Sequence, residues 1–143
     1  MPRYKEYFGY ILRLNHNNQT IDLLYDGRPS VKKHFLINIG DVFSNISFNI
    51  EDGSLFNNWN KITLKFDFKN KLLTLTNGRE TYQEKISFLD KNSCFKFLFG
   101  ANSYKNLSNT DVPHFKIKEI KINKNGHLTY HWPLNELKGN IAK

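Results

Sequence analysis

Acid–base cleavage of a glycosidic bond needs two carboxylates about 5 Å apart on one face, which along a strand means alternate positions. The sequence holds no such pair. Glu51 and Asp52 are adjacent, so a strand would send them to opposite faces, and Asp52-Gly53 reads as a turn. Glu119 and Glu136 have no acidic residue two positions away. Nucleophilic catalysis would need a serine or Cys94 on a strained turn beside a base, and no Gly-x-Ser-x-Gly or comparable elbow is present. His16, His34, His114, His127 and His131 lack zinc-ligand spacing, and a lone cysteine gives them no thiolate set. Calcium wants about six to eight oxygens. Asp22, Asp26, Asp41 and Asp111 could each donate from a loop rim, but no Asp-x-Asn-x-Asp run gathers them. The chain therefore reads as non-catalytic, with no cofactor and no metal-ligand set.

Recognition asks for less: one or two exposed aromatics as platforms, and a few polar side chains that orient a sugar by hydrogen bonds. Residues 102–106, with the nearby Asp111-Val112-Pro113-His114, make a long polar connection of the kind that carries function on a rigid scaffold. The candidate ligand-binding residues are Tyr104, Asp111 and His114, joined by Arg28 in the turn before Pro29. The same composition also suits an ordinary solvated loop. Trp59 opens an alternating run and Trp132 continues Leu128, Tyr130 and Leu134 on one face, so both are expected in the core. Cys94, in the apolar run 94–99, is expected as a buried, inert thiol.

The elements that must position these residues are strands. Along Lys61-Ile62-Thr63-Leu64-Lys65-Phe66-Asp67-Phe68 apolar and polar residues alternate, as a half-buried antiparallel strand requires. Residues 72–76 follow, then Asn77-Gly78 as a tight turn, then 81–86, which makes a three-stranded meander. The runs 8–14, 21–25, 35–39, 46–50, 95–99, 115–122 and 128–132 read likewise, with turn chemistry at Asn17-Asn18, Asp26-Gly27, Asp52-Gly53 and Asn125-Gly126. The apolar phase slips between Ile117 and Ile120, which predicts a bulge near Lys118 or a strand leaving one face, with a short helix as the alternative. No stretch sustains helical periodicity, and evenly spaced strands in this number favour an all-β, antiparallel two-sheet sandwich or jelly roll.

A length of 143 residues suits one domain, spanning 1–143, and 39% hydrophobic residues with 15% aromatic exclude a disordered chain. The formal charge of +8 is spread over lysines that recur singly on alternate positions, as on the wet face of strands, so no nucleic-acid partner is expected. No window approaches the roughly 20 consecutive apolar residues of a membrane helix.

Asn58-Trp59 with the alternating strand behind it, and 71–78 ending in Asn-Gly, resemble the central hairpin of laminin G-like domains; Phe99-Gly100-Ala101 and 115–122 resemble later strands of the same family. Tyr7-Phe8-Gly9-Tyr10-Ile11-Leu12-Arg13, Ile21-Asp22-Leu23-Leu24 and His131-Trp132-Pro133-Leu134-Asn135-Glu136 are similar to concanavalin A-like modules of Bacteroidetes surface proteins that carry adjacent kelch-like repeats. The resemblance implies a jelly roll that binds carbohydrate or protein in a lectin-like manner, or one that docks structurally on a neighbouring domain. It also implies a parent protein in the periplasm or at the cell surface, and it leaves room for a rim calcium. Such modules usually carry another strand before the one at Phe8, so a missing first strand and a fragment of a longer protein are expected.

Overall fold

The computed structural model describes residues 8–99, 102–104, 107–109, 113 and 116–134. The chain divides into two compact units, Met1–Pro113 and His114–Lys143.

The first unit is built from antiparallel sheets. β1 (Phe8–His16), β2 (Gln19–Asp26), β3 (Phe35–Ile39) and β4 (Val42–Phe48) follow one another as hairpins. The chain then passes through a short helix, α1 (Asp52–Asn57), into a second sheet of β5 (Thr63–Asp67), β6 (Leu72–Thr76) and β7 (Thr81–Lys85). It returns as β8 (Lys96–Phe99) to pair with β1, giving a five-stranded sheet in the order β4-β3-β2-β1-β8. A small hairpin of β9 (Asn102–Tyr104) and β10 (Leu107–Asn109) follows.

Alternation explains the core. Leu73 and Leu75 in β6 are both fully buried while Leu72, Thr74 and Thr76 are half-buried, the period-two signature of a strand with one face on a core. From the five-stranded sheet come Leu14, Ile21, Leu23, Phe35, Ile37, Ile46 and Phe48, each nearly or wholly inaccessible. Phe35 and Phe48 stack at 5.1 Å, and Phe48 lies 5.9 Å from Tyr82 of β7, so the two sheets meet through rings. Removing each such side chain from water contributes about 1.5–3 kcal/mol.

Several expectations need correction. Asp52-Gly53 is not a simple turn but the start of α1, whose first bond runs from the Leu55 N–H to the Glu51 carbonyl and whose end is held by Asn60, donating to the Ser54 carbonyl. Six residues are too few to show a helical period. Cys94 is exposed, because it lies in the lead-in to β8 rather than in the strand, its carbonyl 3.0 Å from His16 Nδ1. Trp59 precedes β5 and is 56% exposed.

The second unit holds a hairpin of β11 (Ile120–Lys124) and β12 (His127–Trp132), closed by Asn125 and Gly126, both at positive φ as a two-residue hairpin turn demands. The expected bulge near Lys118 is not there. Residues 116–119 are not strand; Glu119 sits at φ 55 with its N–H donating to the Pro133 carbonyl, and the register shift falls between Ile122 and Asn123. Tyr130 and Trp132 stack at 5.5 Å; Trp132 is half-buried, but Leu128 and Tyr130 of the same row are exposed, so this row is not a closed core. Among the described residues no helix is long and apolar enough to cross a membrane.

Candidate functional site

The face of the five-stranded sheet turned away from the three-stranded one owes its chemistry to one extra residue. In the β1–β2 ladder Tyr10 stands opposite Leu24 and Leu12 opposite Leu23, so Ile11 is a bulge. Before it, Phe8 and Tyr10 face Asp26 and Leu24; after it, Arg13 and Asn15 face Asp22 and Thr20. Asp22, Leu24 and Asp26 alternate on β2 and share a face, so the bulge brings Tyr10 and Arg13 onto that face together. Across the sheet the register continues from Arg13 to Leu98 on β8, and from Asp22 through Asn38 on β3 to Phe43 on β4.

Two carboxylates are buried on this face and each is clasped by an arginine. Arg13 donates to Asp22 from Nε at 2.6 Å and from Nη2 at 2.8 Å, while its guanidinium carbon lies 4.8 Å from the Tyr10 ring centroid. The hydrogen-bonded Asp22 carboxylate raises the Arg13 pKa further. Arg28 grips Asp26 in the same way, with Nε at 2.8 Å and Nη2 on the second oxygen, and lies 5.7 Å from the Phe8 ring centroid. Bidentate pairs of this kind fix orientation as well as charge. Asn38 Nδ2 donates to the Gly40 carbonyl at 3.1 Å, whereas its buried Oδ1 has no hydrogen-bond partner, so an acceptor is left unspent next to Asp22 in the register.

The Arg28 hydrogen bonds hold Asp26 below its ordinary pKa of 3.8. A carboxylate more acidic in the folded than in the unfolded chain contributes stability that is present above its ordinary pKa and is lost as pH falls through the folded value. In Arg28→Ala the folded pKa rises, so the acid-unfolding midpoint followed by circular dichroism is expected to move to higher pH. An unchanged midpoint would remove Asp26 from the acid limb.

These carboxylates do not form a hydrolytic pair. Four residues apart on one strand, they are separated by roughly 13 Å, well beyond the spacing of a retaining or inverting pair. Nor are they open calcium donors: Asp22 lies within β2 and Asp26 ends it, and both are occupied by arginine. Among the described residues no group of three His, Cys, Asp or Glu could hold a metal ion.

Of the candidates expected from sequence, Arg28 is placed in this constellation. Tyr104 ends β9, its backbone paired with Leu107, and Asp111 and His114 lie outside the described residues. Tyr10, Arg13, Asp22, Asp26 and Asn38 were not anticipated as a group. For Arg13 and Asp22 a signal existed, because a hairpin turning at Asn17-Asn18 sets equidistant residues opposite one another. Compared with family models, curated proteins and solved structures, the chain matches none.

Proposed function

We propose that the chain is a non-catalytic, lectin-like recognition module of jelly-roll topology that binds a glycan where the exposed Arg28 lies against Phe8 at the end of the β1–β2 pair. The topology is supported by a chain path that leaves one sheet, builds a second and returns beside its first strand. One observation carries the ligand reading: Arg28 is fixed by a bidentate bond to the buried Asp26, yet its side chain is 51% exposed and it lies against Phe8. A guanidinium has about five N–H donors, so that bond leaves roughly three not engaged by Asp26, beside an aromatic ring. A held donor beside an apolar ring suits a sugar, which offers hydroxyls at its rim and C–H groups on its faces.

The test is a glycan array and polysaccharide pull-down with the whole chain, its fold checked by circular dichroism, beside Arg28→Gln and Phe8→Leu. Wild-type protein is expected to hold a defined glycan, and each variant to weaken it about tenfold. A folded wild-type sample that binds no glycan would sink the reading. The structural docking role would then stand in its place, favoured by Val42 and Phe43, which open β4 with 68% and 70% of their surface exposed. Under either reading the module serves a larger protein outside the cytoplasm, as the family resemblance implies.

A further inference from the structure

The ligand's chemical class can be read from the β2–β3 connection, given the glycan reading above on which this inference rests. Between Asp26 and Phe35 the chain runs Gly27-Arg28-Pro29-Ser30-Val31-Lys32-Lys33-His34, with Arg28, two lysines and a histidine and no acidic residue. The loop is clamped rather than loose. The Val31 N–H donates to the Arg28 carbonyl at 2.9 Å and the Asp26 N–H to the His34 carbonyl at 2.7 Å. Asn49 grips it twice: its Oδ1 accepts from the His34 N–H at 2.8 Å, and its Nδ2 donates to the Lys32 carbonyl at 2.9 Å. The His34 ring nitrogen Nδ1 lies 2.8 Å from the Asp26 carbonyl. At Gly27 a Cβ would meet the Tyr25 hydroxyl at 2.7 Å, so the backbone there runs directly against that ring.

Charge and geometry on this clamped loop favour an anion. Arg28 holds Asp26 through its Nε/Nη2 edge, which leaves the Nη1/Nη2 edge as a second planar pair of donors. That edge matches a carboxylate in a way a lysine ammonium cannot. Because Asp26 balances one positive charge, the surplus comes from Lys32 and Lys33, both exposed. The acidic group that Lys33 also faces is Glu80, whose carboxylate is already engaged by the Tyr82 hydroxyl and the Asn77 amide.

We infer that residues 27–34, the connection beside Phe8, form an anion-binding subsite and that the ligand is a uronate-bearing polysaccharide. A uronate carboxylate is taken end-on by Arg28 and the next charge along the polymer by Lys32 and Lys33.

The experiment is affinity electrophoresis of the full chain in gels holding polygalacturonate or neutral galactan, at low and at physiological salt. Four proteins are compared: wild type, R28K, K32Q/K33Q, and K61Q/K65Q, which removes the same charge from exposed positions at the other sheet. Polygalacturonate is expected to retard the wild type, with a loss of about tenfold or more in R28K. K32Q/K33Q is expected to weaken binding and flatten its salt dependence, while K61Q/K65Q leaves both unchanged. Equal retardation by neutral galactan would overturn the anionic subsite and leave the glycan reading standing. An equal loss in K61Q/K65Q, or equally tight binding of oligothymidylate in a parallel titration, would overturn it as unlocalised charge attraction. No binding to either polymer, with no glycan found on the array, would remove the underlying reading itself.

Discussion

Arg13→Met is expected to lower the unfolding free energy by about 3–5 kcal/mol, because it strands a buried carboxylate. The Asp22 side chain is 1% exposed and receives two hydrogen bonds from Arg13, whose own side chain is 14% exposed. Methionine fills much of the arginine stem's volume, so the loss is electrostatic rather than a packing defect. Replacing the pair together, as Arg13→Met with Asp22→Leu, is expected to recover most of the loss, since an apolar pair of similar volume is often as stable as a buried ion pair. Urea denaturation of the two singles and the double measures the coupling directly. A cost below about 1 kcal/mol for Arg13→Met would mean that Asp22 finds solvation elsewhere.

Phe48→Ala is expected to cost about 3–5 kcal/mol, the range for deleting a buried aromatic ring and leaving a cavity. Phe48 is inaccessible to solvent, stacks on Phe35 at an interplanar angle of 11° and lies beside Tyr82, so its ring couples both sheets and its loss cannot be repaired within one. The comparison is Phe43→Ala in the same strand, where 70% of the residue is exposed and a change within about 0.5 kcal/mol is expected. If the two substitutions cost the same in denaturant, the core is not where the rings place it.

Most of the β-structure was legible because strands with one buried face announce themselves by alternation. Residues 35–39 and 72–76 form β3 and β6 at the expected bounds, and Asn125-Gly126 closes its hairpin as expected. What alternation cannot say is whether a face is covered. Trp59 stands just ahead of an alternating strand and Cys94 at the head of an apolar run, yet each precedes its strand and stays exposed. The site was harder still. Arg28 was visible as a turn arginine before a proline, but its partner Asp26 looked like turn chemistry rather than the end of a buried strand. The grouping of Tyr10 with Arg13 was hidden by the Ile11 bulge, whose one marker in the sequence is Gly9, two residues earlier in the same strand.

That bulge sets where the chain can tolerate changes of length. Deleting Ile11 would restore unbroken alternation and force either the segment carrying Phe8 and Tyr10 or the one carrying Arg13 and Leu14 to turn over. Aromatic rings would move into the sandwich, or a guanidinium would. Insertions and deletions in β1 should therefore be purged by selection, even where any single amino-acid replacement at position 11 is accepted. Variation in chain length among descendants of this sequence is left to the connections between strands.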